Sequence, residues 1–113
     1  MKTLDLNISE RVFALGILND FKGNLETMAV LVKDVPQISI SNEDWETAGK
    51  TETKNADGSV SWQWNDEKGG LKTVEVDKKT IDYLLSKIEE KNKSGEFSFR
   101  DKAVISLNEK LNN

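Results

Sequence analysis

The stretch from Asn7 to Val35, NISERVFALGILNDFKGNLETMAVLVKDV, is the longest apolar-periodic run in the chain, and it constrains the fold most. Ala14, Leu18, Phe21, Leu25, Met28 and Val32 recur at alternating spacings of four and three residues. That spacing keeps them on one side of a helix with ~3.6 residues per turn. Leu15, Ile17, Ala29 and Leu31 widen the stripe, which suits a domain core better than the narrow seam of a coiled coil. Phe21 and Met28 are therefore expected to be core residues. Asn7, with Glu10 three positions on, has the form of a capping box and marks the start. Pro36 is expected to end the run, because it lacks a backbone donor and pushes Val35 out of the helical region. Gly23-Asn24 predicts a kink or break in the middle, since it reads as a helix end followed by a new N-cap. The apolar phase nevertheless carries through the pair.

The length of 113 residues suits a single domain spanning 1–113, large enough to bury a core without metals or disulfides. The chain has no cysteine and no histidine. The first absence removes disulfides, thiolate chemistry and Cys-ligated zinc. The second removes Ser-His-Asp and Cys-His arrangements, the commonest metal ligand and the usual general base near neutral pH. Carboxylates, lysine and tyrosine alone would be left for catalysis, so the sequence points away from an enzyme, and no cofactor is expected. The formal net charge is −4, and no segment carries the basic stripe that phosphate binding needs. Nucleic acid is therefore not an expected partner. The start, MKTLDLNISERV, has no long apolar segment of signal-peptide type, and no apolar run approaches the ~20 residues of a membrane span. These features lead to the expectation of a soluble, cytoplasmic protein with no membrane partner.

Beyond the first run the pattern changes twice. Leu4 and Leu6 suggest a short edge strand or arm, and Gln37 to Ile40 a brief strand. Ser41 with Asp44 forms a second capping box, opening a short helix that carries Trp45 inward and stops at Gly49. Lys50 to Val76 alternates with period two and holds two turn signals, Asn55-Ala56-Asp57-Gly58 and Asn65 to Gly70. This predicts a three-stranded antiparallel meander. Asp77 then caps a helix with the apolar face Ile81, Leu84, Leu85 and Ile88, ended by Gly95. Ser98 with Asp101 caps a last helix facing inward through Ala103, Val104, Leu107 and Leu111. The expected class is α+β: a small three-stranded sheet covered by the N-terminal helical run and two C-terminal helices.

Two constellations invite a functional reading. Trp62 and Trp64 lie two apart, which puts them on one face of one strand. They suit either packing on the helical layer or an exposed aromatic platform of the kind enriched in binding hot spots. Asp66 and Glu67, with Glu52, Asp57 and Glu75 around them, make the middle of the chain acidic and suited to a basic partner surface. The acids lack the ligand spacing of an EF-hand, and a solvated turn is the simpler reading of them. The densest basic set, Lys91, Lys93, Arg100 and Lys102, is interleaved with acids and reads as a solvated mixed face. Trp62, Trp64, Asp66 and Glu67 are thus the candidate partner-binding residues.

The order of parts adds a resemblance. ISERVFALGILNDFKGNLETMAVLVKDV is followed by the acidic Trp45 helix, then SWQWNDEKGG, then a helix leading to KSGEFSFRDKAVISL. This layout resembles small proteins of tailed bacteriophages and prophages over nearly the whole chain. It carries no diagnostic functional motif and assigns no residue a role. It implies provenance, a phage accessory or virion protein in a bacterial host cell. Together with the missing histidine and cysteine, it leads to the expectation of a non-enzymatic accessory protein acting by contact with a host or phage protein, in the manner of one that binds or inhibits a host factor. A structural virion or assembly component working as an oligomer is the alternative.

Overall fold

The computed structural model describes residues 1–113 apart from the Arg100 side chain, so the basic set that includes Arg100 lies partly outside the described residues. The architecture is α+β, with six helices and two separate two-stranded antiparallel sheets among the described residues. Strand β1 (Lys2–Leu6) pairs with β4 (Lys72–Val76), with Leu4 opposite Val74. Leu4, Leu6, Val74 and Val76 turn inward, and the residues between them face out, as period two requires. The helices are α1 (Ile8–Asn19), α2 (Leu25–Ile38), α3 (Asn42–Thr47), α4 (Asp66–Gly69), α5 (Lys78–Lys93) and α6 (Ala103–Asn112). The core lies against the inner face of the β1–β4 ribbon. It gathers Ala14, Ile17 and Leu18 of α1, Leu31 and Ile38 of α2, Ile81, Leu84 and Ile88 of α5, and Val104, Leu107 and Leu111 of α6.

The predicted three-stranded meander does not form. Its first two strands, β2 (Thr51–Lys54) and β3 (Val60–Gln63), make a hairpin of their own. Its third, β4, pairs instead with the N-terminal strand. The reason is apolar matching: Val74 and Val76 need an apolar partner on the core side, which Leu4 and Leu6 supply and Thr51–Lys54 does not. The segment Asn65 to Gly70 also differs from the expected turn. The Asn65 side chain accepts a hydrogen bond from the Lys68 amide and caps the single turn of α4, which separates β3 from β4.

The first run does break, and the apolar phase slips at the break. Helix α1 ends at Asn19, and the Asn24 side chain caps α2 by accepting from the Thr27 amide. In α2 the buried positions are Leu31, Asp34 and Ile38, while Leu25, Met28 and Val32 face solvent. Met28 is therefore not core. Phe21 is half-buried and meets Tyr83 edge-on at 5.1 Å. Pro36 does not end the helix, which runs on to Ile38, and Gln37 to Ile40 forms no strand. Pro36 sits on the exposed side, where water can satisfy the carbonyl left without a donor, while burial of Ile38 holds the last turn.

Buried polar side chains join these elements. The capping box of α1 forms as expected, with Asn7 Oδ1 accepting from the Glu10 amide at 2.8 Å and Glu10 Oε1 from the Asn7 amide at 2.9 Å. Lys110 of α6 donates to the same Glu10 oxygen at 2.7 Å. The buried Arg11 donates to the carbonyls of Ile38 and Ser39 and pairs with Asp44 at 3.0 Å. It thereby satisfies the C-terminal end of α2 and holds α3 with one guanidinium. Asp34 accepts from the Asp77 amide at 2.9 Å and from Thr80 Oγ1, locking α2 to the start of α5. The Ser41 backbone amide and the Arg11 guanidinium hold the Asp44 carboxyl below the usual carboxylate range.

Two predictions follow from this packing. Asp44 is more acidic folded than unfolded, so its contribution is complete above the ordinary aspartate value of about 4 and is lost as pH falls through the lower folded value. Urea midpoints measured down an acid series should fall below about pH 4, and less steeply in Asp44→Asn. The second prediction contrasts two glycines. A Cβ at Gly69 would sit 2.8 Å from Ile8 Cγ1, whereas one at Gly16 would meet nothing within 4 Å. Gly69→Ala should cost about 1–3 kcal/mol by overpacking, and Gly16→Ala should gain up to about 1 kcal/mol, both read by denaturant titration.

Candidate functional site

The β2–β3 hairpin stands outside the core. Every one of its strand residues is exposed, on both faces. Its register sets Glu52 opposite Trp62 and Lys54 opposite Val60 on one face, with Thr51, Thr53, Ser61 and Gln63 on the other. The turn closes as the Asp-Gly signal predicts. Gly58 adopts φ 87°, and the Asn55 amide donates to the Ser59 carbonyl at 2.8 Å. Asp57 accepts from both the Ser59 hydroxyl and the Ser59 amide, which lowers its carboxyl below the ordinary range.

A free two-stranded hairpin is marginal in water, and this one is secured at its base. Trp45 of α3 meets Trp64 edge-on at 5.2 Å. Lys50 Nζ lies 4.6 Å from the Trp45 ring and 4.0 Å from the Trp62 ring, bridging the two. The result is a ladder of Trp64, Trp45, Lys50 and Trp62 running from the body out onto the hairpin. Each cation–ring contact contributes about 0.5–1 kcal/mol at such an exposed site. Trp62 Nε1 also donates to Glu52 at 3.3 Å across the strands. The Asn65 amide donates to the Ala48 carbonyl at 2.8 Å and ties off the hairpin's exit.

Trp62 is 55% exposed and presents an aromatic surface. Trp64 lies one residue beyond the end of β3 and is half-buried. Its Nε1 donates to Ser9 Oγ at 3.1 Å and to Asp66 Oδ1 at 3.0 Å. The two tryptophans therefore divide the alternatives between them, one outward and one packed. Asp66 is a structural group: it accepts from the Ser9 amide at 3.0 Å and the Ser9 hydroxyl at 2.7 Å. Its carboxylate sits at the positive end of α1, where a negative charge is favoured. Glu67 is exposed on α4. The acids fall on separate elements: Glu52 on β2, Asp57 in the hairpin turn, Asp66 and Glu67 on α4, and Glu75 on β4.

Lys50 and Ser9 are the members of this site that sequence reasoning missed. Lys50 directly precedes a strand with no distinguishing spacing. Ser9 meets Asp66 across 57 positions of sequence. A hollow of about 280 Å³ beside Trp64 is lined by Asn7, Ser9, Phe13, Asp66, Asp101 and Lys102. Its polar atoms at Ser9 and Asp66 are already engaged with each other and with Trp64. Among the described residues, no cluster of acids could hold a metal ion, and no helix is long and apolar enough to cross a membrane. Comparison with protein-family models, curated proteins and solved structures finds no match to this chain.

The division of roles is measurable. Trp62→Ala should change stability by less than about 1 kcal/mol, whereas Trp64→Ala should cost about 3 kcal/mol, because it empties a half-buried site, removes the Trp45 ring contact and takes one donor from the Ser9–Asp66 pair. Urea denaturation followed by circular dichroism would report both, and equal costs would contradict the assignment.

Proposed function

We propose that this chain is a non-enzymatic protein-binding module of a tailed phage or prophage, acting in the bacterial host cell through the β2–β3 hairpin. The observation that carries the reading is a hairpin exposed on both faces with Trp62 held outward at its base. Trp62 needs little ordering on binding, because Lys50 and Glu52 already hold its ring. Preorganised tryptophans of this kind are the usual anchors of protein interfaces. The free strand edges offer backbone donors and acceptors to an extended segment of a partner. Glu52 and Glu67 favour a partner with basic groups around an aromatic-accepting pocket. Phage provenance rests on the layout of the sequence.

A second reading, a virion or assembly component, draws on the exposed apolar residues of α2. The two readings separate in a pull-down of tagged chain from bacterial lysate, with and without infecting phage, read by mass spectrometry. A stoichiometric host protein, lost with Trp62→Ala and weakened by added salt, is the expected result. Capture unaffected by Trp62→Ala would remove the hairpin from the interface. Enrichment of phage structural proteins would favour the assembly reading.

A further inference from the structure

The outward side of α2 is the other unpartnered surface. Leu25, Met28 and Val32 are 77, 43 and 64% exposed, and Ala29 and Pro36 are exposed beside them. At about 100° per residue these five form one stripe, set away from the buried side of Leu31, Asp34 and Ile38. The stripe continues past Val35 into a groove of about 490 Å³ that Val12, Leu15, Gly16 and Ile40 also line. Contiguous exposed apolar surface of this kind marks an interaction site.

We propose that this face of α2 docks on the same face of a second copy of the chain, the two helices running antiparallel about a two-fold axis near Ala29–Val30. The charges flanking the stripe select that occupant. Glu26 and Lys33 are seven residues apart, two helical turns, and so lie on the same flank. A two-fold axis between antiparallel helices sets each flank against its own counterpart in reversed order. Centring the stripe on itself then places Glu26 opposite Lys33 of the second copy, and Lys33 opposite its Glu26. A parallel pairing would instead put the two charged flanks on opposite sides of the seam, where neither Glu26 nor Lys33 meets a charge of the other copy's α2. On α2 itself one exposed acid and one exposed base lie two turns apart, an order that is self-complementary under this axis. Glu26 is already oriented by Lys79 at 2.6 Å, so Lys33 of the second copy completes a three-membered network.

Helix α2 has 14 residues, and a contact confined to it is about 21 Å long. That is shorter than a standard interface, which covers roughly 800 Å² per partner. The groove beside it, with no side chain at Gly16, admits the edge of the second copy and extends the contact. Association is accordingly dependent on concentration.

Sedimentation equilibrium of the full chain over a concentration series tests this. The expected mass rises toward twice that of one chain. Lys33→Glu should weaken association by roughly tenfold or more, because it sets Glu26 against glutamate. The double charge swap, Glu26→Lys with Lys33→Glu, should restore it, and Val32→Glu should leave a monomer with an unchanged circular dichroism spectrum. A wild-type chain that stays monomeric at its highest soluble concentration would overturn the proposal. So would association that ignores Lys33→Glu, or a double swap no tighter than the single one.

Discussion

Three consecutive side chains at the start of α1 tie together parts of the chain that share no regular hydrogen-bond ladder. Successive helical residues point about 100° apart, so Ser9, Glu10 and Arg11 fan out in three directions. Ser9 reaches Asp66 at the foot of the hairpin, Glu10 reaches Lys110 on α6, and Arg11 reaches Asp44 and the end of α2. Charges this deep contribute little net stability, since their desolvation offsets most of the attraction. Their effect is on uniqueness: each has one arrangement that satisfies it, and leaving any one unpaired is costly. Glu10 Oε2 marks the limit, as a buried oxygen without a protein partner among the described residues. The apolar core makes the chain collapse, and this turn of helix decides which element ends up beside which.

The hairpin follows the opposite logic. None of its strand residues belongs to the core cluster. Its order comes from the ladder of rings around Lys50 and from Trp64, whose indole touches the same Ser9–Asp66 pair that anchors α1. The exposed end of the ladder is thus held by a half-buried end that belongs to the fold. Segments with few buried contacts open more readily than the body that carries them. The stack at the base restrains the segment while its strand faces stay in solvent.

Most caps in the sequence form as the residues imply, whereas stops and partner choice do not. Pro36 leaves α2 running to Ile38, and the Ser98–Asp101 pair closes a turn ahead of α6, which starts from Lys102 with no side-chain cap. The capping boxes at Asn7 and Ser41, the Asp-Gly turn, the Asp77 cap and the inward faces of α5 and α6 all stand as the residues imply. Each depends on atoms a few positions apart. The pairing of β1 with β4 spans most of the chain, and alternation within Lys50–Val76 says nothing about which strand lies alongside. The face of α2 is ambiguous in the sequence because two apolar stripes exist on that helix, and the one continuing the phase of α1 is the solvent-facing one. At the site, the types of Trp62 and Trp64 drew notice, but Lys50 and Ser9 gain their roles only from the fold. Asp66 read as part of an acidic surface, yet it is consumed by the positive end of α1.

The separation of hairpin from core has an evolutionary consequence. Thr51, Thr53, Ser61 and Gln63 face solvent and pack on nothing in the core. Substitutions there leave the body's stability almost untouched, provided the β-strand preference is kept. The hairpin surface can therefore drift residue by residue while the scaffold stays fixed; under the binding role proposed for it, such a chain could follow a changing partner without first losing the ability to fold.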